Sequence, residues 1–372
     1  MQGFPYVPRL LQNASTLSFR SHLDTKLGLS HSSPFKCATT LNNPNPVSLK
    51  DATKQFGMLV KRGFSERRGL PVSSSPYNIR PLTEEELPQL CDLMTKAGWS
   101  ETLDVLKILQ KISPRGFWGA FDKDALIGHQ AYWKIWEEVS MIGLQITHPH
   151  YQGRGIATTL GEHCLSICGT KIKGTVSIPS MVESYRYYLP YKGYTTRILS
   201  GYVNKSFLKK INSTTAVKIR AVRNIHIANI INFLKEVQPY ATDTCLGHIV
   251  RGMAEGSLVA TDGDQVVGYA TRIFGPLGVS VSPLYAKDPD VARMLWKELI
   301  CHLPGDVPVM VDVLSEDNTS AYELFNQSFH NERGDSPKTI FRLTRLFSEK
   351  PPDDAVNIPM IFSTCGTCIR IA

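Results

Sequence analysis

The positions of apolar residues after residue 76 predict an alternation of strands and helices. Alternating or continuous apolar runs favour strands, whereas apolar residues three and four positions apart favour amphipathic helices. On this basis we predict strands at 77–82, 117–121, 125–134, 140–147, 176–178 and 194–203. We predict helices that begin after Thr83 and Ser100, and further helices at 156–167 and 182–189.

The same order of elements returns in the second half of the chain. Predicted strands lie at 217–221, 258–261, 266–273, 279–282, 309–313 and 339–343, and predicted helices lie at 225–237, 290–303 and 318–327. In both halves a short polar turn that contains two Asp residues joins the second and third strands, as in a β-hairpin. The matching order and spacing indicate a tandem duplication of one α+β unit.

The loop between the strand at 140–147 and the following helix is the strongest candidate for ligand chemistry. Its sequence is Gln152-Gly153-Arg154-Gly155-Ile156-Ala157. The two glycines let the backbone turn tightly and carry no Cβ that would block a ligand. The first N–H groups of a helix are unpaired and lie at the positive end of its dipole, so they attract anions. The segment therefore predicts an anion site, with an ordinary strand-to-helix turn as the alternative.

This segment resembles the acetyl-coenzyme A signature of the GNAT N-acetyltransferase superfamily, (Gln/Arg)-x-x-Gly-x-(Gly/Ala). Gln152, Gly155 and Ala157 fill its defined positions, after an apolar strand and Pro149. The Gly-Lys-(Ser/Thr) of a nucleotide-binding P-loop and the third glycine of a Rossmann fingerprint are both missing here. The resemblance implies two α+β units, each a mixed, mostly antiparallel sheet flanked by helices. It also implies an N-acyltransferase that uses acetyl-CoA as co-substrate.

The resemblance assigns the cofactor contacts to two groups of residues. On the strand, the backbone N–H groups of Leu144, Gln145 and Ile146 would meet the acetyl carbonyl and the pantetheine amides. At the loop and first helical turn, the residues that would hold the pyrophosphate are Gln152, Gly153, Arg154, Gly155, Ile156, Ala157 and Thr158. A solvated loop arginine is the alternative role for Arg154.

The pattern defines the residues for proton transfer less well. Met141 stands where many GNAT enzymes have a glutamate base. Glu137 and Glu138 lie just upstream, and His148 and His150 lie nearer the loop. His148 is the candidate base because imidazole can be neutral near pH 7; a loop-packing histidine, or base catalysis through ordered water, is the alternative. The tyrosine-containing helix of the family indicates Tyr188, one residue out of register, as the proton donor to the departing thiolate. Tyr185 shares its helix face at i, i+3, and either ring can be a core residue.

The second unit lacks the features of the anion loop. Its corresponding segment, 282–290, places Asp288 and Asp290 at the start of the predicted helix, with Pro289 between them. The carboxylates oppose an anion, and proline removes an N–H group. Phe325 stands where the first unit has its tyrosine. This half resembles the C-terminal domain of YitH-type acetyltransferases, a diverged GNAT repeat. We therefore expect one active site, with the second unit binding substrate or supporting the fold.

The charge of the chain is concentrated in its first 76 residues. Of the net charge of +8, ten Lys/Arg and three Asp/Glu residues in 1–76 account for +7, so residues 77–372 carry about +1. We therefore expect no nucleic-acid partner. No apolar run approaches the roughly 18 residues of a membrane span, and Cys365 and Cys368 lack a second pair of zinc ligands. Neither a membrane partner nor a metal is expected.

The composition of residues 1–76 is basic, hydroxyl-rich and poor in acids, which is typical of an organelle transit peptide. Arg62-Gly63-Phe64 before Ser65 resembles a mitochondrial processing site. We predict a mitochondrial location; a disordered tail on a cytoplasmic enzyme is the alternative. The predicted organisation is a leader (1–76), an acetyl-CoA-binding GNAT domain (77–205), a diverged YitH-type domain (216–346) and a flexible tail (347–372).

Aromatic residues near the expected boundary of the two units suggest the acceptor class. Trp133, Trp136, Tyr240 and Tyr285 are placed near a cleft there, without an acidic cluster; core packing is the alternative for each ring. We therefore predict acetylation of a small amine or amino-acid-like metabolite by direct attack on the thioester. The alternatives are a protein or peptide acceptor, and a catalytically inactive acyl-CoA-binding or regulatory protein. The sequence leaves the acyl-chain preference and the oligomeric state open.

Overall fold

The computed structural model describes residues 76–212, 216–314, 318–330, 337–352 and 356–365. The predicted leader, apart from its last residue, lies outside these ranges, as does Cys368. The described strands are β1 (Asn78–Pro81), β2 (Phe117–Asp122), β3 (Ala125–Lys134), β4 (Val139–Thr147), β5 (Ile172–Ser177), β6 (Tyr191–Val203), β7 (Val217–Ala221), β8 (Ser257–Asp262), β9 (Gln265–Gly275), β10 (Gly278–Ala286), β11 (Val309–Leu314), β12 (Phe329–His330), β13 (Lys338–Phe347) and β14 (Ile361–Ser363). The described α-helices are α1 (Leu87–Lys96), α2 (Leu103–Ile112), α3 (Ile156–Ile167), α4 (Pro179–Arg186), α5 (Lys205–Lys210), α6 (Ile227–Val237), α7 (Asp243–Gly252), α8 (Pro289–Ile300) and α9 (Thr319–Ser328). None of these helices is long and apolar enough to cross a membrane.

Local sequence signals account for where several helices begin. Before α1, the Glu86 side chain accepts from the Thr83 N–H at 3.0 Å, which completes the predicted capping box. Helix α2 is capped by Thr102, whose hydroxyl accepts a backbone hydrogen bond at 3.4 Å; the predicted cap, Ser100, lies two residues too early. Helix α4 begins at Pro179, three residues before its predicted start, because a proline in the first turn needs no N–H partner.

The described strands other than β12 and β14 form one continuous sheet in the order β1-β2-β3-β4-β5-β13-β6-β11-β10-β9-β8-β7. Strand β12 pairs with β6, and β14 pairs with β10. The pairs β4–β5 and β10–β11 are parallel, and the other pairs of the sheet are antiparallel. A mixed, mostly antiparallel sheet with flanking helices confirms the predicted α+β fold class.

The last strand of each half completes the sheet of the other half. Strand β13, from the second half, lies between β5 and β6, and Thr344 is opposite Ser177 of β5. Strand β6, from the first half, pairs in turn with β11, and Leu199 is opposite Val311. The apolar pattern predicts each of these strands but not its partner, because a period of two carries no information on pairing. The two repeats are therefore joined by strand exchange.

The larger apolar core combines buried side chains from both halves, and α2 packs against α7. Trp133, Trp136 and Tyr285 lie in this core and are at most 5% exposed. Trp136 forms an isolated β-bridge with Ala241, and its ring lies 5.7 Å from the ring of Tyr240, which is 42% exposed. The three buried rings therefore follow the core-packing alternative, since large rings contribute most when they are buried.

The described part of the segment after β13 is packed, in contrast to the predicted flexible tail. Ile358–Met360 form a helical turn and Ile361–Ser363 form β14. Residues 360 to 365 are all buried. Three residues are too few to show a strand period, and the burial arises from tertiary pairing that local sequence does not reveal.

Candidate functional site

Strands β4 and β5 diverge next to the predicted anion loop. They pair in parallel from Val139 opposite Ile172 to Ile142 opposite Thr175. At the point of divergence, the Thr175 hydroxyl donates to the Ile142 carbonyl at 2.8 Å. Strand β5 pairs with β13 along its other edge, and no described strand pairs with residues 143–147 on the side of β4 that faces β5. This edge of β4 therefore offers backbone groups to a ligand.

A β-bulge redirects the backbone of β4 along this open edge. The pairing with β3 shifts between His129 and Ala131, where two steps along β3 face three steps along β4. Leu144, in the bulge, has a φ of 55°, a left-handed conformation that is uncommon for a residue with a Cβ. Bulges of this kind re-aim groups next to binding sites. The predicted strand contacts, Leu144 to Ile146, lie at this bulge.

Side chains of β3 satisfy two carbonyl groups at the bulge. His129 Nδ1 lies 3.0 Å from the Leu144 carbonyl oxygen, and Gln130 Nε2 donates to the Gly143 carbonyl at 2.8 Å. A carbonyl only accepts, so His129 Nδ1 carries the proton. Burial lowers the pKa of His129 to about 4, which keeps the ring neutral at pH 7. These two side chains hold the bulge in place, and neither is singled out by the sequence motif.

Gln145 joins the open strand to two helices. Its Nε2 donates to the Ala157 carbonyl, in the first turn of α3, at 3.0 Å. Its Oε1 accepts from the Tyr185 hydroxyl of α4 at 2.8 Å. Burial raises the pKa of Tyr185 to about 12, so this hydroxyl is protonated at neutral pH. The side chain of Gln145 thus connects the bulge, the helix start and the tyrosine in one network.

The backbone at Gly153 and Gly155 adopts a left-handed conformation that favours glycine. Their φ angles are 77° and 81°, and a Cβ added to either would meet no heavy atom within 4 Å. The Thr159 N–H makes the first helical hydrogen bond, to the Gly155 carbonyl at 3.0 Å. The N–H groups of residues 156–158 therefore have no partner within the described part of the chain. With no acidic residue in its first turn, α3 is suited to bind an anion there.

Two further contacts fix the loop that leads to α3. The Tyr151 hydroxyl donates to the Asp122 carboxylate, in the β2–β3 hairpin, at 2.7 Å. Gln152, the first residue of the predicted motif, donates through Nε2 to the Thr147 carbonyl at 3.3 Å. The loop is therefore tied both to the hairpin and to the end of β4.

Arg154 is exposed but held beside the glycines. Its guanidinium donates to the Tyr77 hydroxyl at 3.2 Å and to the His150 carbonyl at 3.1 Å. It also lies 4.9 Å from the centre of the Tyr151 ring. These contacts place a positive charge next to the free helix start, where it can add to the attraction for an anion.

His148 lies where the chain leaves β4, and its ring faces the loop. Its Nδ1 accepts from the His150 N–H at 3.3 Å, so the neutral ring carries its proton on Nε2. Burial is the main cause of a lowered pKa of His148, with smaller effects from His150 and Lys96. The ring is neutral at pH 7, but its lone pair is already engaged. This geometry favours the loop-packing alternative over a general base.

The carboxylates nearest to β4 in sequence lie away from its open edge. Glu137 is exposed in the β3–β4 turn and pairs with Lys134 at 2.7 Å; Glu138 is exposed beside it. Both lie at the end of β4 where the parallel pairing with β5 begins, not where the strands diverge. Met141 is 1% exposed in the core. The described residues also contain no group of three or more His, Cys, Asp or Glu side chains that could hold a metal.

Of the two candidate tyrosines, Tyr185 is the one that contacts β4, and the role of Tyr188 as proton donor stays a prediction. Tyr188 lies beyond the end of α4, is 51% exposed, and has its ring against that of Tyr187. Tyr185 lies within the helix and reaches Gln145 of β4. The earlier start of α4, at Pro179, brings Tyr185 rather than Tyr188 into the last turn.

The corresponding helix start in the second half has the opposite character. The Asp288 carboxylate caps α8 by accepting from the N–H groups of Asp290 and Val291, both at 2.9 Å. Pro289 contributes no N–H group. Phe325, at the position of the family's tyrosine, is a fully buried ring without a hydroxyl. The helix start of the second half therefore does not reproduce the anion site of the first.

Diverging parallel strands, a bulge in one of them and a free helix start beside the gap are the features that the resemblance to GNAT acyltransferases implies. The family models agree with this class. The model of the Acetyltransferase (GNAT) family matches residues 82–188, and the model of the Acetyltransferase (GNAT) domain matches residues 230–344. The chain belongs to the GNAT family and carries two GNAT domains in tandem, which confirms the resemblance found in the sequence.

Solved structures share the fold at low sequence identity. A putative acetyltransferase from Pyrococcus horikoshii aligns with 82% of this chain and 99% of its own, with 15% identity and a TM-score of 0.62. A tandem GNAT protein from the clavulanic acid biosynthesis pathway aligns with 75% of this chain and 100% of its own, with 12% identity and a TM-score of 0.53. A comparison with curated protein sequences found no match. These similarities concern the fold, whereas the family models indicate acyl transfer.

Proposed function

We propose that the first half binds acetyl-CoA and transfers its acetyl group to an amine. The observation that carries this proposal is the free helix start at residues 156–158, which Gln145 links to the open edge of β4. The diphosphate of CoA would accept from these N–H groups, because the helix dipole favours anions there. The extended pantetheine arm would follow the edge of β4 at residues 143–147 towards the bulge.

At the bulge, backbone N–H groups among Leu144, Gln145 and Ile146 would polarise the acetyl carbonyl and stabilise the oxyanion. The amine nitrogen attacks the carbonyl carbon, the C–S bond breaks, and the departing thiolate takes a proton from Tyr185. The proton of the amine passes to water, because the lone pair of His148 is engaged within the loop. Tyr185 then recovers its proton from solvent.

The substitution Gly155→Asp tests the cofactor site. A carboxylate at the helix start would repel the diphosphate and occupy the space into which the N–H groups point. Loss of two hydrogen bonds to a charged group, at about 1.5 kcal/mol each, corresponds to roughly 100-fold weaker binding. We therefore expect calorimetry to show one bound acetyl-CoA per natural chain and at least that loss for the variant.

Gly263→Asp is the matched control for this substitution. Gly263 has a φ of 56° and, like Gly155, an added Cβ there meets nothing within 4 Å, but it lies in the turn between β8 and β9. The control therefore carries the same charge and similar backbone strain outside the proposed site, and we expect its affinity to stay within about twofold of the natural chain. Equal weakening by both substitutions, or no binding by the natural chain, would refute the proposal.

For the acceptor, we propose a small amine or amino-acid-like metabolite. The support is the charge balance: residues 77–372 carry only about +1, without the strongly acidic character expected of a site for a Lys-rich protein tail. The aromatic residues near the boundary of the two units do not support this acceptor class, since Trp133, Trp136 and Tyr285 are core residues.

Incubation of the protein with labelled acetyl-CoA and a fractionated cell extract tests the acceptor class. We expect label in low-mass metabolites by mass spectrometry, together with thiol release above the hydrolysis blank. Gly155→Asp is the negative control, because it should remove both signals. Label found on proteins alone would contradict the small-amine proposal. Binding of acetyl-CoA without any turnover would favour the alternative of an inactive acyl-CoA-binding protein.

A further inference from the structure

The second half contains its own pair of diverging parallel strands, and the chain itself fills the gap between them. Strands β10 and β11 pair only from Val279 opposite Val309 to Ser280 opposite Met310. A register shift in β10 follows between Val281 and Leu284, at the place equivalent to the bulge of β4. Beyond this point β14 runs antiparallel to β10. In the first half, no described strand occupies the corresponding place.

Side-chain and backbone bonds join β14 to both walls of this gap. Towards β11, the Thr364 N–H donates to the Asp312 carbonyl at 2.8 Å, and the Thr364 hydroxyl donates to the Asp312 carboxylate at 2.8 Å. The Asp312 N–H in turn donates to the Ser363 hydroxyl at 3.1 Å. Towards β10, the Ser363 hydroxyl donates to the Val281 carbonyl at 2.9 Å, and the Ser282 hydroxyl donates to the Thr364 carbonyl at 2.7 Å. The segment is thus bonded as an inserted strand.

The segment is also anchored at its entrance and buried along its length. Asn318, the N-cap of α9, donates through Nδ2 to the carbonyl groups of Ile358, Pro359 and Ile361 at 3.1–3.2 Å. The residues from Ile361 to Thr364 are at most 1% exposed. A polar Ser-Thr pair is buried at this depth only with its hydrogen bonds satisfied, as they are here.

We propose that the second half is a peptide-binding site, occupied within the same chain by residues 356–365, in the place where the first half would take pantetheine. The comparison with pantetheine rests on the proposed function of the first half; the peptide site does not. Both ligands are extended chains whose amide groups can pair with a strand edge. The occupied gap and the Asp288 cap together leave the chain with one acyl-CoA site.

Two truncations test the peptide site. Removal of residues 366–372 leaves β14 intact and is the matched control for removal of residues 356–372. The longer deletion removes the buried Ile361 and Phe362 and unpairs backbone groups of β10 and β11, so we expect its Tm to fall by about 10 °C or more below the control. A synthetic peptide of residues 356–365 should restore the Tm with saturable binding, and a scrambled peptide should not. Equal Tm values for the two truncations would overturn the proposal.

Measurements on the full chain keep the proposal testable if the longer truncation does not fold. By hydrogen exchange, the amides of residues 361–364 should be as protected as those of β10, and rapid exchange would contradict the inserted strand. Thr364→Val removes only the hydroxyl bonded to Asp312 and should lower the Tm by several degrees. The matched control is Thr170→Val, in the α3–β5 loop, whose hydroxyl bond spans two residues. Thr170→Val should leave the Tm nearly unchanged. An equal fall in Tm for the two variants would contradict a stabilising role for the bonds of the inserted segment.

The number of acetyl-CoA molecules bound per chain tests the peptide site separately from the function proposed for the first half. Calorimetry of the full chain should give one acetyl-CoA per molecule, and two would overturn the occupied second gap. If no acetyl-CoA binds at all, the function proposed for the first half fails. The peptide and exchange measurements would still decide the second site, since neither uses the cofactor.

Discussion

At the scale of single residues, the hydroxyl of Tyr185 is the group of the site that the sequence placed least well. The family pattern gives a tyrosine near the end of a helix, but Tyr185 and Tyr188 lie one turn apart on the same face. Only the observed start of α4 and the hydrogen bond to Gln145 distinguish Tyr185 from Tyr188. The sequence likewise places His129 and Gln130 only within a predicted strand. Their hydrogen bonds to the bulge depend on a register shift that apolar spacing does not encode.

Tyr185→Phe is expected to lower kcat by about 100-fold, the lower range for loss of a general acid, with little change in the Kd for acetyl-CoA. The pKa of Tyr185 is raised to about 12 by burial, so its proton is present throughout the neutral and mildly alkaline range. For the natural enzyme we therefore expect no loss of activity between pH 7 and 9 from ionisation of this group. Steady-state kinetics and calorimetry provide the two constants.

Tyr188→Phe removes the same atom from a ring that is 51% exposed and serves as the matched control. Its kcat should stay within about twofold of the natural enzyme. If Tyr188→Phe produced the larger loss, the sequence-based assignment to Tyr188 would be right and the geometric one wrong. If Tyr185→Phe raised the Kd and left kcat unchanged, the hydroxyl would act by holding Gln145 and the bulge.

At the scale of elements, the sequence predicted those helices and strands that have strong local signals. It did not predict elements that depend on tertiary pairing. The bounds of β3 match the predicted 125–134, since a largely apolar run after an Asp-rich turn has two independent signals. The helix at 156–167 also matches, because glycine marks its start and apolar spacing marks its face. The sequence pattern did not predict helix α7, although Thr242 caps it. It did not predict β14 either, because a strand of three residues shows no period.

The bulge in β4 shows the limit of this approach. Leu144 has a positive φ, yet sequence rules reserve that conformation for glycine, asparagine and aspartate. The neighbouring Gly143 instead faces the Trp133 ring, where an added Cβ would lie 2.8 Å from a ring atom. The glycine is required by packing, and the strained backbone falls one residue later. A local pattern identifies the strand but not the position at which it departs from regular geometry.

At the scale of the whole molecule, strand exchange makes each half dependent on the other. A chain of residues 77–212 contains β5 and β6 but lacks β13, which lies between them, so two unpaired edges would be exposed. We expect this half alone to be insoluble or aggregated. Co-expression with residues 213–372 should give a soluble one-to-one complex by size-exclusion chromatography with light scattering. A monomeric first half that binds acetyl-CoA by itself would contradict this expectation.

The same exchange has a consequence for biosynthesis. Strand β13 ends at residue 347, which is 170 residues after the end of β5 at residue 177. At about 5–20 residues per second, the ribosome needs roughly 10 to 30 seconds to add those residues. During that interval the nascent first half has the glycine loop and β4 but an unfinished sheet, with the edge of β5 exposed. Catalytic competence therefore arises late in translation, and a chaperone that shields the edge of β5 would act in that interval.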